Sequence, residues 1–172
     1  CGLDMRHFTH TGRHFLQIPG PTNVPDRVLR AIAAPVVDHR GPEFAALSGE
    51  VLEGLRGVFG TAGPVIVYPS SGTGACEAAL VNLCSPGDRV LVFETGHFSG
   101  VWRGLAERLG LTVDYVPGDW RRGASPAELE ARLQADAAAA IRVVVVVHNE
   151  TSNGVTSRIA ELRRAMSRVG HP

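Results

Sequence analysis

Lysine is absent from this 172-residue chain: all seventeen basic residues are arginine. No side-chain amine is therefore available for carbonyl chemistry, and none can lower its pKa to act as a base. Seventeen acidic residues balance the arginines, so the formal net charge is zero. Nothing in that balance asks for nucleic acid or an anionic membrane surface. No apolar run approaches the roughly 20 residues of a membrane span. The polar stretch from Cys1 to Thr11 lacks the apolar centre of a secretion signal, so a cytoplasmic location is expected. Cysteine is scarce as well. Cys1, Cys76 and Cys84 lack metal-ligand spacing, which excludes a thiolate metal centre, and no metal is expected. Cys76 and Cys84 read as buried free thiols on a helix. Met5 is the first candidate initiator, so the four residues before it read as upstream sequence.

What the chain does contain centres on residues 65–83. Val65-Ile66-Val67-Tyr68 reads as a short buried strand, Pro69 to Gly74 as a small-residue turn, and Ala75 to Leu83 as a helix. Strand, turn and helix in this order present unpaired amides and the positive end of a helix dipole to an anion. Gly72 and Gly74 allow close backbone approach, and Ser71 and Thr73 add hydroxyls. A phosphate cradle is the reading. A dinucleotide alternative uses Gly72-x-Gly74 with Glu94 as the ribose-binding acid, but Glu77 occupies the place of the third glycine. An ordinary strand-to-helix turn without ligand is the bland alternative.

Elsewhere, Gln17 to Pro25 is a proline-stiffened arm, and Pro25 opens a short helix to Ala33. Glu43 to Phe59 keeps helical apolar spacing through Phe44, Leu47, Val51, Leu55 and Val58, with Gly60 as its stop. After the cradle, strands are predicted over Arg89–Phe93, Leu111–Val116 and Val143–Val147, the last buried on both faces. Helices are predicted from Phe98 to Leu109, after Ser125-Pro126 with a capping box to Glu128, and from Ser157 to Gly170. Thr95 to Trp102 and His148 to Gly154 are polar segments at the C-terminal ends of strands, where open α/β sheets gather ligands. Phe98 is read as a stacking face and Trp102 as core. The alternation defines an α/β fold with a mainly parallel sheet and helices on both faces. It also calls for a further strand after Pro172.

Pro19 to Pro25, His39 to Phe44, Ser70 to Gly74, Pro86-Gly87-Asp88, Gly96-His97-Phe98 and His148 to Gly154 together resemble the class V aminotransferases. The likeness leans to the serine–glyoxylate and alanine–glyoxylate branch and runs nearly the whole chain from Gly12. The resemblance implies fold type I, with residues 1–24 as an N-terminal arm and 25–172 as the N-terminal part of the large domain. It implies pyridoxal 5'-phosphate as cofactor, a homodimer, and amino transfer from serine or alanine to glyoxylate. Thr73, Gly74 and Ala75 would hold the cofactor phosphate, Phe98 would lie against the pyridine ring, and Thr151 would donate to its phenolic oxygen. Gly20 would line the substrate side, with Asn23, His39, Arg40 and Glu150 as supporting or interface groups. The family's Schiff-base lysine and pyridine-nitrogen aspartate have no counterpart here, so no catalytic residue is assigned and the chain alone is expected to be inactive. Other members of the fold (desulfurase-like, kynureninase-like or phosphonate-processing enzymes) and a non-catalytic phosphate- or nucleotide-binding module are the alternatives.

Overall fold

A computed structural model describes residues 15–170. The chain divides into two compact units, one ending at Val67 and the other starting at Tyr68. The first holds α1 (Asp26–Ile32) and α2 (Pro42–Phe59). Pro42 occupies the first turn of α2, where a missing N–H costs nothing, and Gly60 stops the helix with φ 60. The apolar face of α2 lines an open groove of about 590 Å³ through Phe44, Leu47, Val51 and Leu52, facing Val65 to Val67. Asn23 folds the proline arm back on itself by accepting from the Leu16 amide at 2.8 Å.

The buried strand expected over Val65–Tyr68 does not form. Ile66, Val67 and Tyr68 are 78%, 67% and 44% exposed, and the segment pairs with no strand among the described residues. A strand exists only as a hydrogen-bonded pair, and apolar character alone does not supply a partner.

The second unit is a layered α/β body. Its elements are α3 (Gly72–Leu83), β1 (Arg89–Phe93), α4 (His97–Arg108), β2 (Thr112–Val116), α5 (Pro126–Ala135), β3 (Ile141–Val145), β4 (Asn149–Glu150), β5 (Val155–Thr156) and α6 (Ile159–Val169). The first three strands form a parallel sheet in the order β2-β1-β3. β1 is central, and Val90 to Phe93 are buried on both faces, as a run of apolar residues without alternation requires. Leu91 and Phe93 pack with Leu129 and Leu133 of α5 and Leu162 and Ala165 of α6. Val90 and Val92 pack on the other face with Leu80 of α3 and Leu105 and Ala106 of α4.

The segregation follows from chain topology. β1 to β2 steps one way in the sheet and β2 to β3 steps back across β1, so right-handed crossovers must place α4 and α5 on opposite faces.

Several boundaries differ from the sequence reading. α3 begins at Gly72, three residues before Ala75, because Ser71 supplies the cap position and its carbonyl takes the first helical bonds. The valine strand runs from Ile141 to Val145, and Val143 and Val144 are only half-buried. β3 lies at the edge of the sheet among the described residues, so one flank lacks a covering strand. The polar segment after it holds a two-residue antiparallel pairing, β4 with β5. Ser125 caps α5 as expected, accepting from the Glu128 amide at 3.3 Å. The reciprocal half of the box does not form, since Glu128 turns to Arg132 at 2.8 Å. α6 starts at Ile159 because Ser157 is buried and accepts from the Ala124 amide.

Leu129 is fully buried between α6 and the sheet. Leu129→Ala is expected to cost about 2–5 kcal/mol and Ser125→Ala about 0.5–2 kcal/mol, both read as urea-midpoint shifts at unchanged m-value.

Candidate functional site

The two connections leaving neighbouring strands β1 and β3 part to opposite faces of the sheet, one into α4 and the other through β4 and β5 into α6. Such a divergence opens a crevice at the C-terminal ends of the strands. α3 ends where β1 begins and α4 begins where β1 ends, and the two helices pack side by side. Both helix N-termini therefore stand at the crevice end of the sheet.

Glu150 spans the crevice. The residue is 1% exposed, and its carboxylate has no cationic partner among the described residues. It accepts from the Phe98 amide at 3.1 and 3.3 Å, the Ser99 amide at 3.4 Å, and the amide and hydroxyl of Ser152 at 3.3 and 2.7 Å. Burial alone would raise this carboxyl. The Ser152 hydroxyl together with the amides of Phe98, Ser152 and Ser99 outweighs that and holds it below the ordinary carboxylate range. The dipole of α4 adds to the effect, because Phe98 and Ser99 lie in its first turn.

Two more side chains of the β4–β5 turn make the same crossing. The Ser152 hydroxyl oxygen accepts from the His97 amide at 3.1 Å. The Asn153 amide group donates to the Thr95 carbonyl at 2.7 Å and the Trp120 carbonyl at 2.9 Å. Gly96 permits the approach, since a Cβ there would overlap the Cγ of Glu150 and lie 2.7 Å from both its carboxyl carbon and Ser152 Oγ. Locally, Ser99 closes the turn before α4, accepting from the amides of Thr95 and Gly96 and donating to the Gly96 carbonyl.

This scaffold leaves Phe98 42% exposed at the start of α4, with His97 edge-on to its ring at 5.3 Å. Trp102, one turn on, packs into the core on the α3–α4 face. Thr151 stands exposed in the turn that Glu150 and Ser152 fasten to α4.

At the start of α3, the Gly74 and Ala75 amides donate to the Ser71 carbonyl at 3.0 and 3.3 Å. The amides of Gly72 and Thr73 have no partner among the described residues, and Ser71 makes no side-chain cap. Ser71, Gly72 and Thr73 are exposed, so an anion can reach those two amides. Gly74 is needed for packing, because a Cβ on it would overlap the Ser70 hydroxyl. The Tyr68 hydroxyl donates to the Gly74 carbonyl at 3.0 Å and braces the turn.

Other singled-out residues are placed differently. Gly20 lies in the first unit, and a Cβ on it would touch nothing within 4 Å. Glu94 is not free to bind a ribose: it accepts from the Gly118 amide at 3.1 Å and the Trp120 indole at 3.0 Å. Trp120 itself adopts a positive φ of 61. Cys76 and Cys84 are half-buried against the core rather than fully buried. Burial pushes both thiols up, at Cys84 with help from the Asp88 charge and against that of Arg142. No group of residues able to hold a metal occurs among the described residues. No local signal marks Glu150 as a helix cap, since the α4 amides it accepts from lie 51 and 52 positions earlier in the chain.

An open helix start and an exposed aromatic stand at the C-terminal end of a parallel sheet, the place where open α/β folds gather their ligands. The family described as aminotransferase class-V matches residues 14–171. The chain belongs to the class V aminotransferases, and its fold is the fold type I architecture of that family. It is 46% identical to a serine–glyoxylate aminotransferase of Methylorubrum extorquens over 94% of this chain and 40% of that protein. It is 42% identical to an L-aspartate–glyoxylate aminotransferase of Paracoccus denitrificans over 94% of this chain and 41% of that protein. The crystal structure of an alanine–glyoxylate aminotransferase from Nostoc aligns with a TM-score of 0.79 at 32% identity, covering 89% of this chain and 40% of that one. The chain thus spans about 40% of the length of the relatives it matches.

Gly96→Ala is expected to destabilise by about 1–3 kcal/mol through overpacking against Glu150. Gly100→Ala, whose Cβ meets nothing within 4 Å on the same helix, is expected to gain up to about 1 kcal/mol. Chemical denaturation of the pair separates the two effects. A depressed carboxyl in the folded state contributes stability that is present above its unfolded pKa of about 4.3 and lost as pH falls through its folded value. The stability gap between the native protein and Glu150→Gln should therefore narrow below about pH 4, followed by urea midpoints against pH.

Proposed function

We propose that this chain carries the cofactor-phosphate and ring-stacking half of a glyoxylate-dependent aminotransferase using pyridoxal 5'-phosphate. The observation that carries the reading is the pairing of two groups at one sheet edge in a member of this family: the open amides of Gly72 and Thr73, and the exposed ring of Phe98. The residues present fit the group. The first turn of α3 offers two free N–H donors, the positive end of a helix, and the hydroxyls of Ser71 and Thr73 to a phosphate. Gly74 and Ala75 complete that turn by fixing its backbone on Ser71. Phe98 offers one ring face for stacking, and Thr151 a hydroxyl to a ring oxygen.

When bound, pyridoxal phosphate supplies an electron sink that lets an amino group leave one carbon acid and join another. The work of these residues is to bind and orient. α3 fixes the phosphate end, Phe98 keeps one ring face dry, and Thr151 polarises the phenolic oxygen. The required lysine amine is not among these 172 residues. Residues 25–172 form the N-terminal part of the cofactor-binding domain in this reading, with 1–24 as its arm and Gly20 on the substrate side.

The net reaction moves the amino group of serine to glyoxylate, giving hydroxypyruvate and glycine; alanine in place of serine gives pyruvate. Serine and alanine are favoured as donors by the likeness to serine–glyoxylate and alanine–glyoxylate aminotransferases. A homodimer is part of the proposal, supported by the exposed apolar side chains Phe44, Leu47 and Val51 of α2. So is a cytoplasmic location, in keeping with the free thiols of Cys76 and Cys84.

A polypeptide of the relatives' full length carrying this sequence should form hydroxypyruvate from serine and glyoxylate. Phe98→Ala should weaken its cofactor binding by about 0.5–1.5 kcal/mol, up to roughly tenfold, measured by equilibrium dialysis. Failure to use serine, alanine or aspartate with glyoxylate would overturn the reading.

A further inference from the structure

We propose that Glu150 is the positioning residue of the cofactor wall: by bonding simultaneously to the first turn of α4 and to the turn after β4, it locks Phe98 and Thr151 into one rigid unit. This inference rests on the reading of Phe98 and Thr151 as cofactor contacts. The two residues lie on connections that leave adjacent strands for opposite faces of the sheet. Nothing in chain connectivity keeps those connections together, and a crevice between them is free to widen. Glu150 closes it with both carboxylate oxygens, one shared by the Phe98 and Ser99 amides and the other by the Phe98 amide and Ser152.

An ordinary helix cap does not account for this arrangement. Capping side chains come from the residue just before the helix, and here Ser99 already satisfies the local amides of Thr95 and Gly96. The carboxylate that caps α4 arrives instead from another strand, 52 residues later. It is buried without a cation, which is tolerable only because every approaching group is an N–H or O–H donor. One of the amides it accepts from belongs to Phe98 itself, and the residue next to it in the chain is Thr151. A displaced carboxylate would free the stacking ring and the ring-oxygen donor in the same event.

The test uses the holoenzyme of full length. Glu150→Gln keeps the shape but turns one acceptor into a donor that faces donors. It is expected to weaken pyridoxal phosphate binding severalfold by equilibrium dialysis, and to speed amide hydrogen exchange at Phe98, Ser99 and Ser152 in the cofactor-free protein. In a Phe98→Ala background the same substitution should cost clearly less affinity than in the native protein, because the share of Glu150's effect carried by that ring is already gone and only the share through Thr151 remains. Unchanged affinity, or losses that simply add, would overturn the assignment while leaving the cofactor reading intact. A native protein that fails to bind pyridoxal phosphate would bring down the reading beneath it. Should Glu150→Gln not fold, Ser152→Ala decides: a severalfold affinity loss that shrinks in the Phe98→Ala background is expected, and unchanged affinity or simple additivity overturns the proposal.

Discussion

Right-handed crossovers on a sheet ordered β2-β1-β3 force the connections from β1 and β3 apart, and the rest of the second unit depends on that divergence. It puts α3 and α4 on one face and α5 and α6 on the other, so β1 is buried twice over. It also creates a cleft at the strand ends, lined by helix starts. A cleft of this kind is both a binding opportunity and a weak seam, because its walls belong to different layers. The hydrogen bonds of Glu150, Ser152 and Asn153 across it answer the second problem while leaving the first open.

The chemistry at the seam has a consistent sign. Free amides of Gly72 and Thr73 and the α3 and α4 dipoles all present backbone donors rather than side-chain charge. One such set of donors is taken by the carboxylate of Glu150, whose own burial would otherwise be prohibitive. The other remains exposed. One helix start is thus capped from within the protein while the other is left open.

Loops elsewhere are tied to the same edge. Glu94 anchors Gly118 and the Trp120 indole, Asn153 takes the Trp120 carbonyl, and Ser157 receives the Ala124 amide. A Cβ at Gly118 would overlap the Glu94 carbonyl, and one at Gly123 would lie 2.6 Å from the Thr156 carbonyl. At these two glycines one backbone passes directly against another, whereas Gly96 admits the side chains of Glu150 and Ser152. They make the C-terminal edge of the sheet a bonded surface instead of a set of independent loops.

Much of this was legible from residue order. The apolar run of β1, the helical apolar spacing of α2, the serine and proline signals of α5, the glycine stops at Gly60 and Gly170, and the family blocks are local patterns, and local sterics and hydrogen bonding decide them. Phe98 stood out because it follows a strand end next to His97, and it is exposed at the start of α4. Tertiary structure alone decided what depends on partners distant in the chain. It left Val65–Tyr68 unpaired and Val143 and Val144 half-buried, since strand formation needs a neighbour that composition cannot name. It engaged Glu94 with Gly118 and Trp120, and it made Glu150 the cap of a helix that begins more than fifty residues earlier. Short-range geometry is written into adjacent residues, whereas the occupant of a buried carboxylate's lone pairs is set only when the layers close around it.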